Sequence, residues 1–457
     1  MRLSNETSSL IPTGVMRTDY DRSAQSVGIV HFGIGAFHRA HQAVYTDAAM
    51  NAGETDWAIT GVSLRSPDVA AQMNPQDGLY TVAQQSAAAR DVRLIGAVKN
   101  VLIAARDTAA IVAALAAPTT QIISFTITEK GYCRTPGGSL DLNLNNEVSI
   151  YTYLTAGIRR RKEARISGLT LLSCDNLSGN GAQLKALMCD YLNHNAPDLI
   201  GWFDAECSCP STMVDRIVPA TTEGDRAEIN AMLGLRDEAT VITEPFSQWV
   251  IEDSFAGPRP SWEHHGVQIA SDIAPYETAK LRMLNGAHSA LAYLGLQRRF
   301  DFVHQAIADP ELAALVNCLM RDEAASSMTP AAGQDLSAYA DALIDRFKNS
   351  ALNHRLSQIA MDGSQKIPQR WLETLAFHQQ RGRQCPAILA GIAAWLDHVR
   401  GDDARVSDPM AEQLRTAWQV SGVNGIVDAV FGENGLIASR WQPNDSARRT
   451  VESALSV

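Results

Sequence analysis

Residues 276–288 read YETAKLRMLNGAH and hold two spacings with chemical meaning. Tyr276-x-x-x-Lys280 is the spacing of an acid/base tyrosine–lysine pair. Lys280-x4-Asn285-x2-His288 is a different catalytic spacing. Both point to a nicotinamide-dependent oxidoreductase, but they imply different folds, proton carriers and substrates. Oxidising a secondary alcohol needs a base that takes the hydroxyl proton as hydride leaves carbon. A lysine serves if desolvation lowers its pKa from ~10.4 towards neutrality. Amide N–H donors then steady the oxygen as charge develops on it, and a histidine can fix a neighbouring hydroxyl. Asn285 offers one amide. Asn176, which ends TLLSCDN at the carboxyl end of a predicted strand, offers a second.

These groups need a helix to hold them. At about 100° per residue, with Lys280 as zero, Glu277 falls near ~60°, His288 near ~80° and Asn285 near ~140°. Four polar groups thus share one flank of a segment otherwise filled by Leu281, Met283, Leu284, Ala287, Ala290 and Leu291. Such a cluster must find hydrogen-bond partners or face a cleft. A solvated helix face is the plainer alternative.

The first 270 residues alternate apolar strand candidates with helical stretches. The strands are 27–35, 57–64, 92–98, 121–129 and 166–176. Helices are expected over 107–117 and 182–192. Continuous apolar strands between helices predict a mostly parallel sheet covered on both faces, a Rossmann-type α/β domain over residues 1–270. From residue 271 long 3.6-period segments dominate, beginning with 276–296, and predict a mainly α-helical second domain over 271–457. The stretch SFAGPRPSWEHHG, 254–266, reads as the connection.

IVHFGIGAFHRAH, 29–41, follows the first strand and opens a predicted helix. Gly33-x-Gly35 supplies a tight turn that lets the backbone approach a pyrophosphate, although His38 stands where the usual third glycine would be. Asp68, after the second strand, is placed to accept from the ribose hydroxyls of NAD, whereas Arg65 nearby would suit the 2′-phosphate of NADP. NAD(H) is the expected cofactor. Gly33, Ile34, Gly35, Phe37, Asp68 and Thr128 are its expected contacts.

The net charge of −11 in 457 residues argues against nucleic-acid binding and against a basic membrane-binding surface. The first 14 residues lack a basic start followed by an apolar run, so no signal peptide is expected, and no apolar run is long enough to span a bilayer. Seven scattered cysteines fit a reducing, cytoplasmic setting. Cys207-Ser208-Cys209 has the wrong spacing for zinc, so no metal is expected and the chemistry needs an organic cofactor.

The segments IVHFGIGAFHRAHQAVYTD, TITEKGYC, SCDNLSGNG, MVDRIVPA, EPFSQWVIED, KLRMLNGAHSALAYLG and DGSQKIPQR occur in this order along nearly the whole chain. Together they resemble the mannitol dehydrogenase and fructuronate reductase family, the polyol-specific long-chain dehydrogenases. The resemblance implies that Lys280 is the acid/base group, that Asn176 and Asn285 form an oxyanion hole, and that His288 orients substrate. Glu277 matches a glutamate near the proton path, and Asp215 and Lys366 match substrate-side positions. Tyr276 is then incidental, since the short-chain dehydrogenases that use a Tyr–Lys pair are smaller single-domain proteins. The expected partner is a small polyol or sugar acid, and the expected state a monomer.

A sugar acid needs a cation in the pocket, ideally the fork of an arginine. Arg282, His354, Arg355 and Arg370 are the candidates, with Arg355 and Arg370 the expected anchors. Arg282 falls near ~200° on the helix, away from Lys280, and also fits a packing role. Gln358 stands where mannitol 2-dehydrogenases carry an arginine, and QIAMDGSQKIPQR resembles fructuronate reductases. NADH-dependent reduction of D-fructuronate to D-mannonate is the leading expectation. Mannitol–fructose interconversion, or a related hexitol or pentitol, is the runner-up. A non-catalytic sugar-acid sensor would have little need of the complete Lys280, Asn285, His288 and Asn176 set.

Overall fold

The computed structural model describes residues 1–135, 137–143, 149–401 and 406–455. It divides into two compact units, Met1–Ile273 and Ala274–Val457.

In the first unit, the strands are β1 (Val27–Phe32), β2 (Ala58–Ser63), β3 (Tyr80–Gln85), β4 (Arg90–Ile95), β5 (Val98–Ile103), β6 (Ile122–Phe125), β7 (Thr170–Ser173), β8 (Thr212–Asp215), β9 (Val241–Thr243), β10 (Gln248–Glu252) and β11 (Gln268–Ala270). A five-stranded sheet runs in the order β5-β2-β1-β6-β7, and every pair in it is parallel. Side chains along β1 alternate between two cores. Val30 and Phe32 pack with Leu154 and Ile158 of the helix Ile150–Ala164. Ile29 packs with Ala43 and Met50 of the helix Gln42–Asn51 on the other face. Both faces are therefore covered, which is why the strands carry unbroken apolar runs. The strand order reverses at β1, so the crevice beyond the carboxyl ends of β1 and β6 is the topological switch point, where such sheets bind ligands.

The expected strand over 92–98 is corrected. Residues 90–95 pair antiparallel with β3 outside the main sheet, and the main-sheet strand is Val98–Ile103. The break falls at Gly96, whose N–H donates to the buried carboxylate of Asp47 at 2.8 Å instead of continuing a ladder. Two three-stranded sheets, β4-β3-β9 and β11-β10-β8, complete the unit.

The second unit holds no named strand among the described residues. Its core surrounds the helix Gly286–Gln297, which packs on the helix Pro386–Val399 with Trp371 and Trp395 fully buried. The single α-helix expected over 276–296 is also corrected. It is α-helical over Ala274–Ala279, a π-helix over Lys280–Asn285, and α-helical again from Gly286. Further π segments occupy Leu319–Ala324 and Pro368–Leu372. The last begins at a proline, which has no N–H and clashes with the i−4 carbonyl of a regular helix. The segment 280–285 packs against both of the others.

Candidate active site

The first unit gathers its polar groups on loops at strand ends. After β1 the chain turns at Gly33, with φ +91°, where an added Cβ would lie 2.1 Å from the Thr126 carbonyl oxygen. Only glycine fits such a close approach. Thr126 Oγ1 donates to the Gly33 carbonyl at 2.7 Å, which ties the turn to the loop after β6. Gly35 is exposed, so its backbone is open to a ligand, and Phe37 is partly buried and stacked on His41 at 4.9 Å. Ile34 is buried against Gly61 of β2, leaving its backbone rather than its side chain for contact. The third-glycine position holds His38, fully buried and stacked on His31 of β1 at 3.4 Å. The small residue that permits close packing sits on β2 instead, as Gly61, where an added Cβ would strike Ile34 at 2.8 Å. The helix that follows is short, Ala36–Ala40, before the chain resumes at Gln42.

Thr128 stands in the left-handed region with φ +63°. For a β-branched residue that is a true outlier, costing on the order of 1–3 kcal/mol unless its surroundings hold it. Asp175 holds it. Ile127 N donates to Asp175 Oδ2 at 3.0 Å, Thr128 N donates to Oδ1 at 2.9 Å, and Tyr132 OH donates to Oδ2 at 2.8 Å. Burial raises the Asp175 pKa, and these three donors oppose the rise. Asn176 follows directly, exposed at the end of the same loop. The buried Asn180 fixes that loop from below, donating to the carbonyls of Ser173, Asp175 and Thr212. Asp215 is buried at the end of β8.

A cavity of about 730 Å³ opens at the carboxyl ends of β2, β6 and β7, lined by Arg65, Tyr132, Arg134, Leu177 and Leu187 among others. Asp68 is exposed at the start of the helix Asp68–Met73, outside the cavity wall. Gly33, Ile34, Gly35, Phe37, Thr128 and Asn176 are not among the residues that line that cavity; the open glycine turn at the switch point is the feature that fits a dinucleotide. Among the described residues, no cluster of three or more His, Cys, Asp or Glu could hold a metal ion.

In the second unit, Glu277, Lys280 and Asn285 are partly exposed and His288 is buried. Lys280 opens the π segment and Asn285 closes it. A π-turn rotates each residue by less than the ~100° of an α-helix, so Asn285 returns closer to the Lys280 flank than regular winding would place it. Changed winding also frees carbonyls. Arg370 donates from Nη1 to the Asn285 carbonyl at 3.3 Å and to Ser289 Oγ at 2.7 Å, and Trp371 donates from Nε1 to the Gly286 carbonyl at 3.2 Å. Arg370 and Trp371 belong to the π segment 368–372, so one irregular turn braces the other.

The His288 ring touches Phe347 at 4.8 Å and meets His354 edge-on at 5.1 Å. Burial, then the charges of His354, Arg346 and Arg370, push its pKa well below the ordinary value, so the ring is neutral at pH 7. Burial and Arg346 likewise lower His354, and burial brings Arg370 down to about 10. Lys366 is lowered by burial and by Arg370, and donates to the Met361 carbonyl at 2.6 Å. Arg355 is not brought to this cluster. It is exposed and lies 5.2 Å over the Phe302 ring. Arg282 donates to the backbone and hydroxyl oxygens of Ser327, a packing role. The sequence reading did not name Arg346, which closes the helix Leu336–Phe347 and is buried. Nor did it single out Asp175, although SCDN carried it beside Asn176.

Comparisons agree with this two-part architecture. The mannitol dehydrogenase Rossmann domain matches residues 27–264, and the mannitol dehydrogenase C-terminal domain matches residues 272–453. The chain belongs to the mannitol dehydrogenase family. It is an oxidoreductase of that family, as its relatives are. An uncharacterized oxidoreductase of Escherichia coli, YeiQ, is 42% identical, over 97% of this chain and 94% of the relative. The D-mannonate oxidoreductase of the same organism is 39% identical, over 94% and 93%. Pseudomonas fluorescens mannitol 2-dehydrogenase, solved as a ternary complex with NAD and D-mannitol, aligns over 100% of this chain and 96% of its own. Its TM-score is 0.79 and its identity 33%. For a mannitol dehydrogenase family member, the Tyr276–Lys280 reading falls away, and Tyr276 is buried. No helix among the described residues is long and apolar enough to cross a membrane.

Proposed function

We propose that this oxidoreductase interconverts D-fructuronate and D-mannonate with NAD(H), using Lys280 as its proton carrier and no metal. The observation that supports the sugar-acid reading is a pair of arginines, Arg346 and Arg370, near the buried His288. Arg346 and Arg370 carry positive charge that acts on that buried ring, while His354, its own pKa lowered, meets the ring edge-on. A carboxylate substrate can bond charge-to-charge with an arginine, which a neutral polyol cannot.

Bound nicotinamide would supply or accept the hydride at carbon. In reduction, Lys280 gives a proton to the ketone oxygen, and Glu277 lies on the path by which water restores it. Asn176 and Asn285 are the amide donors to the reacting oxygen, and neutral His288 orients a substrate hydroxyl. Asp215 and Lys366 are substrate-side groups. Gly33, Ile34, Gly35 and Phe37 hold the dinucleotide through the turn, Thr128 contacts it from the loop after β6, and Asp68 favours the free ribose of NAD over NADP. The reading includes a monomer in the cytoplasm.

Initial rates of reduction of D-fructuronate and D-fructose with NADH, side by side at neutral pH, test this. The expected kcat/KM favours fructuronate by ~100-fold, the scale of one or two charge-assisted hydrogen bonds. That preference shrinks at least ~10-fold in Arg370→Met or Arg346→Met. Because the readout is a ratio, general damage to the fold lowers both rates and leaves it unchanged. A preference for fructose would make this a mannitol 2-dehydrogenase, the second reading, favoured by the likeness to the enzyme solved with D-mannitol.

A further inference from the structure

Asp175 sits beside a proposed catalytic group without being one. Its carboxylate accepts from two successive backbone amides, Ile127 N and Thr128 N, and from the Tyr132 hydroxyl. Those amides lie after β6, at the start of the one-turn helix Thr128–Gly131. One residue earlier, Thr126 donates from its backbone N–H to the Phe32 carbonyl at 2.9 Å and from its hydroxyl to the Gly33 carbonyl at 2.7 Å. A continuous path of short bonds therefore runs from the glycine turn, through Thr126, Ile127 and Thr128, to Asp175 and so to Asn176. The weakest point of that path is Thr128, because a β-branched residue leaves φ +63° unless it is held there.

We propose that Asp175 is a positioning residue that locks Thr128 in its left-handed conformation and thereby sets the glycine turn and Asn176 in register. This rests on the reading that the carboxyl ends of β1 and β6 hold the dinucleotide and that Asn176 serves the reacting oxygen. Asp175 itself touches neither. An asparagine in its place keeps the shape but has one oxygen for two amide donors, and its own NH₂ then faces a backbone N–H. The chain relieves that clash by letting Thr128 relax towards an ordinary backbone region. Glycine at 128 removes the reason to relax, since it holds positive φ without steric cost.

The test uses the full-length protein, NADH titration followed by fluorescence, and turnover. Wild-type protein comes first: failure to turn over any uronate or polyol with NADH sinks the underlying reading rather than this one. Given activity, Asp175→Asn is expected to weaken NADH binding ~10-fold and lower kcat ~100-fold, the scale of an ångström-sized misplacement. Asp175→Asn/Thr128→Gly is expected to regain at least ~5-fold of the NADH affinity, because the glycine no longer needs the clamp. A merely structural carboxylate would give no such rescue. Wild-type kinetics in Asp175→Asn, or a double variant no better than the single one, overturns the proposal. If Asp175→Asn gives no cooperative melt, Tyr132→Phe replaces it. That variant removes one of three donors and is expected to weaken NADH binding ~3-fold, with the same rescue by glycine; unchanged affinity there also overturns it.

Discussion

Asp175 and Glu323 are the same local device in two settings. Each is a carboxylate inside its own unit that accepts from two successive backbone amides. Asp175 takes Ile127 N and Thr128 N, and Glu323 takes Ala387 N at 2.7 Å and Ile388 N at 2.9 Å. Burial raises the pKa of both, that of Glu323 to about 7. The consequences differ because the amides differ. Those of Ala387 and Ile388 open a long regular helix, where unsatisfied N–H groups are expected and any acceptor stabilises the end. Those of Ile127 and Thr128 open only the single turn Thr128–Gly131, whose first residue is held at positive φ beside the glycine turn. One carboxylate caps a long regular helix, and the other caps one short turn that begins on a strained residue.

Three measurements set the scale of that contrast. The largest effect is expected at Lys280, the proposed proton carrier. Lys280→Ala is expected to keep NADH affinity and to lose ~10³–10⁴-fold in kcat, with much of the loss restored by small primary amines. Turnover within a few-fold of wild type would remove Lys280 as proton carrier and leave the Asp175 clamp with little to position. Next comes Asp68, the exposed acid at the start of the helix after β2. Asp68→Ala should weaken NADH ~10-fold and NADPH much less, read by titration of both; equal losses would make Asp68 a bystander. The smallest kinetic effect is expected at Glu323. Its folded pKa, about 7, lies above the ordinary 4.5, so the folded state favours the protonated acid. The stability this contributes is fully present below pH ~4.5 and is lost as pH rises through ~7. Melting curves between pH 5 and 8 should therefore fall with pH in wild type and flatten in Glu323→Gln, with kcat unchanged. A flat wild-type profile, or a Gln variant that loses activity, would erase the distinction between the two carboxylates.

The Rossmann-type unit was legible because its signals are local. An apolar run ending in Gly33-x-Gly35 announces a strand and a turn, and the turn requires those residue types. Its limits were also local. The third glycine is displaced to Gly61 on another strand, and only the fold shows that Gly61 and Ile34 meet. The run 92–98 was read as one strand because Gly96 looks tolerable in a sequence, while the pull of Asp47 on its N–H is a tertiary fact. In the helical unit, the composition of the segment 276–296 marked it as chemical, yet a constant 100° step could not place its side chains, since nothing in KLRMLN announces a π-turn. The same holds for Arg355 and Arg346. Arg355 stood in the suggestive motif but lies over Phe302, whereas Arg346, at the end of an ordinary amphipathic helix, acts on His288.

The π segment at Lys280 behaves like a phase slip in a wave. Residues before it and residues after it each keep regular α-helical time, but the two trains are offset by the extra residue the wide turn absorbs. Removing one residue between 280 and 285 would let the ladder close as an uninterrupted α-helix, an outcome that local backbone energetics favours. The cost would fall entirely on phase. Everything upstream, Glu277 included, would swing by about 100° relative to Asn285 and His288. The chain would then gain a better helix and lose the alignment of its polar groups, so length within this segment is as tightly specified as any side chain on it.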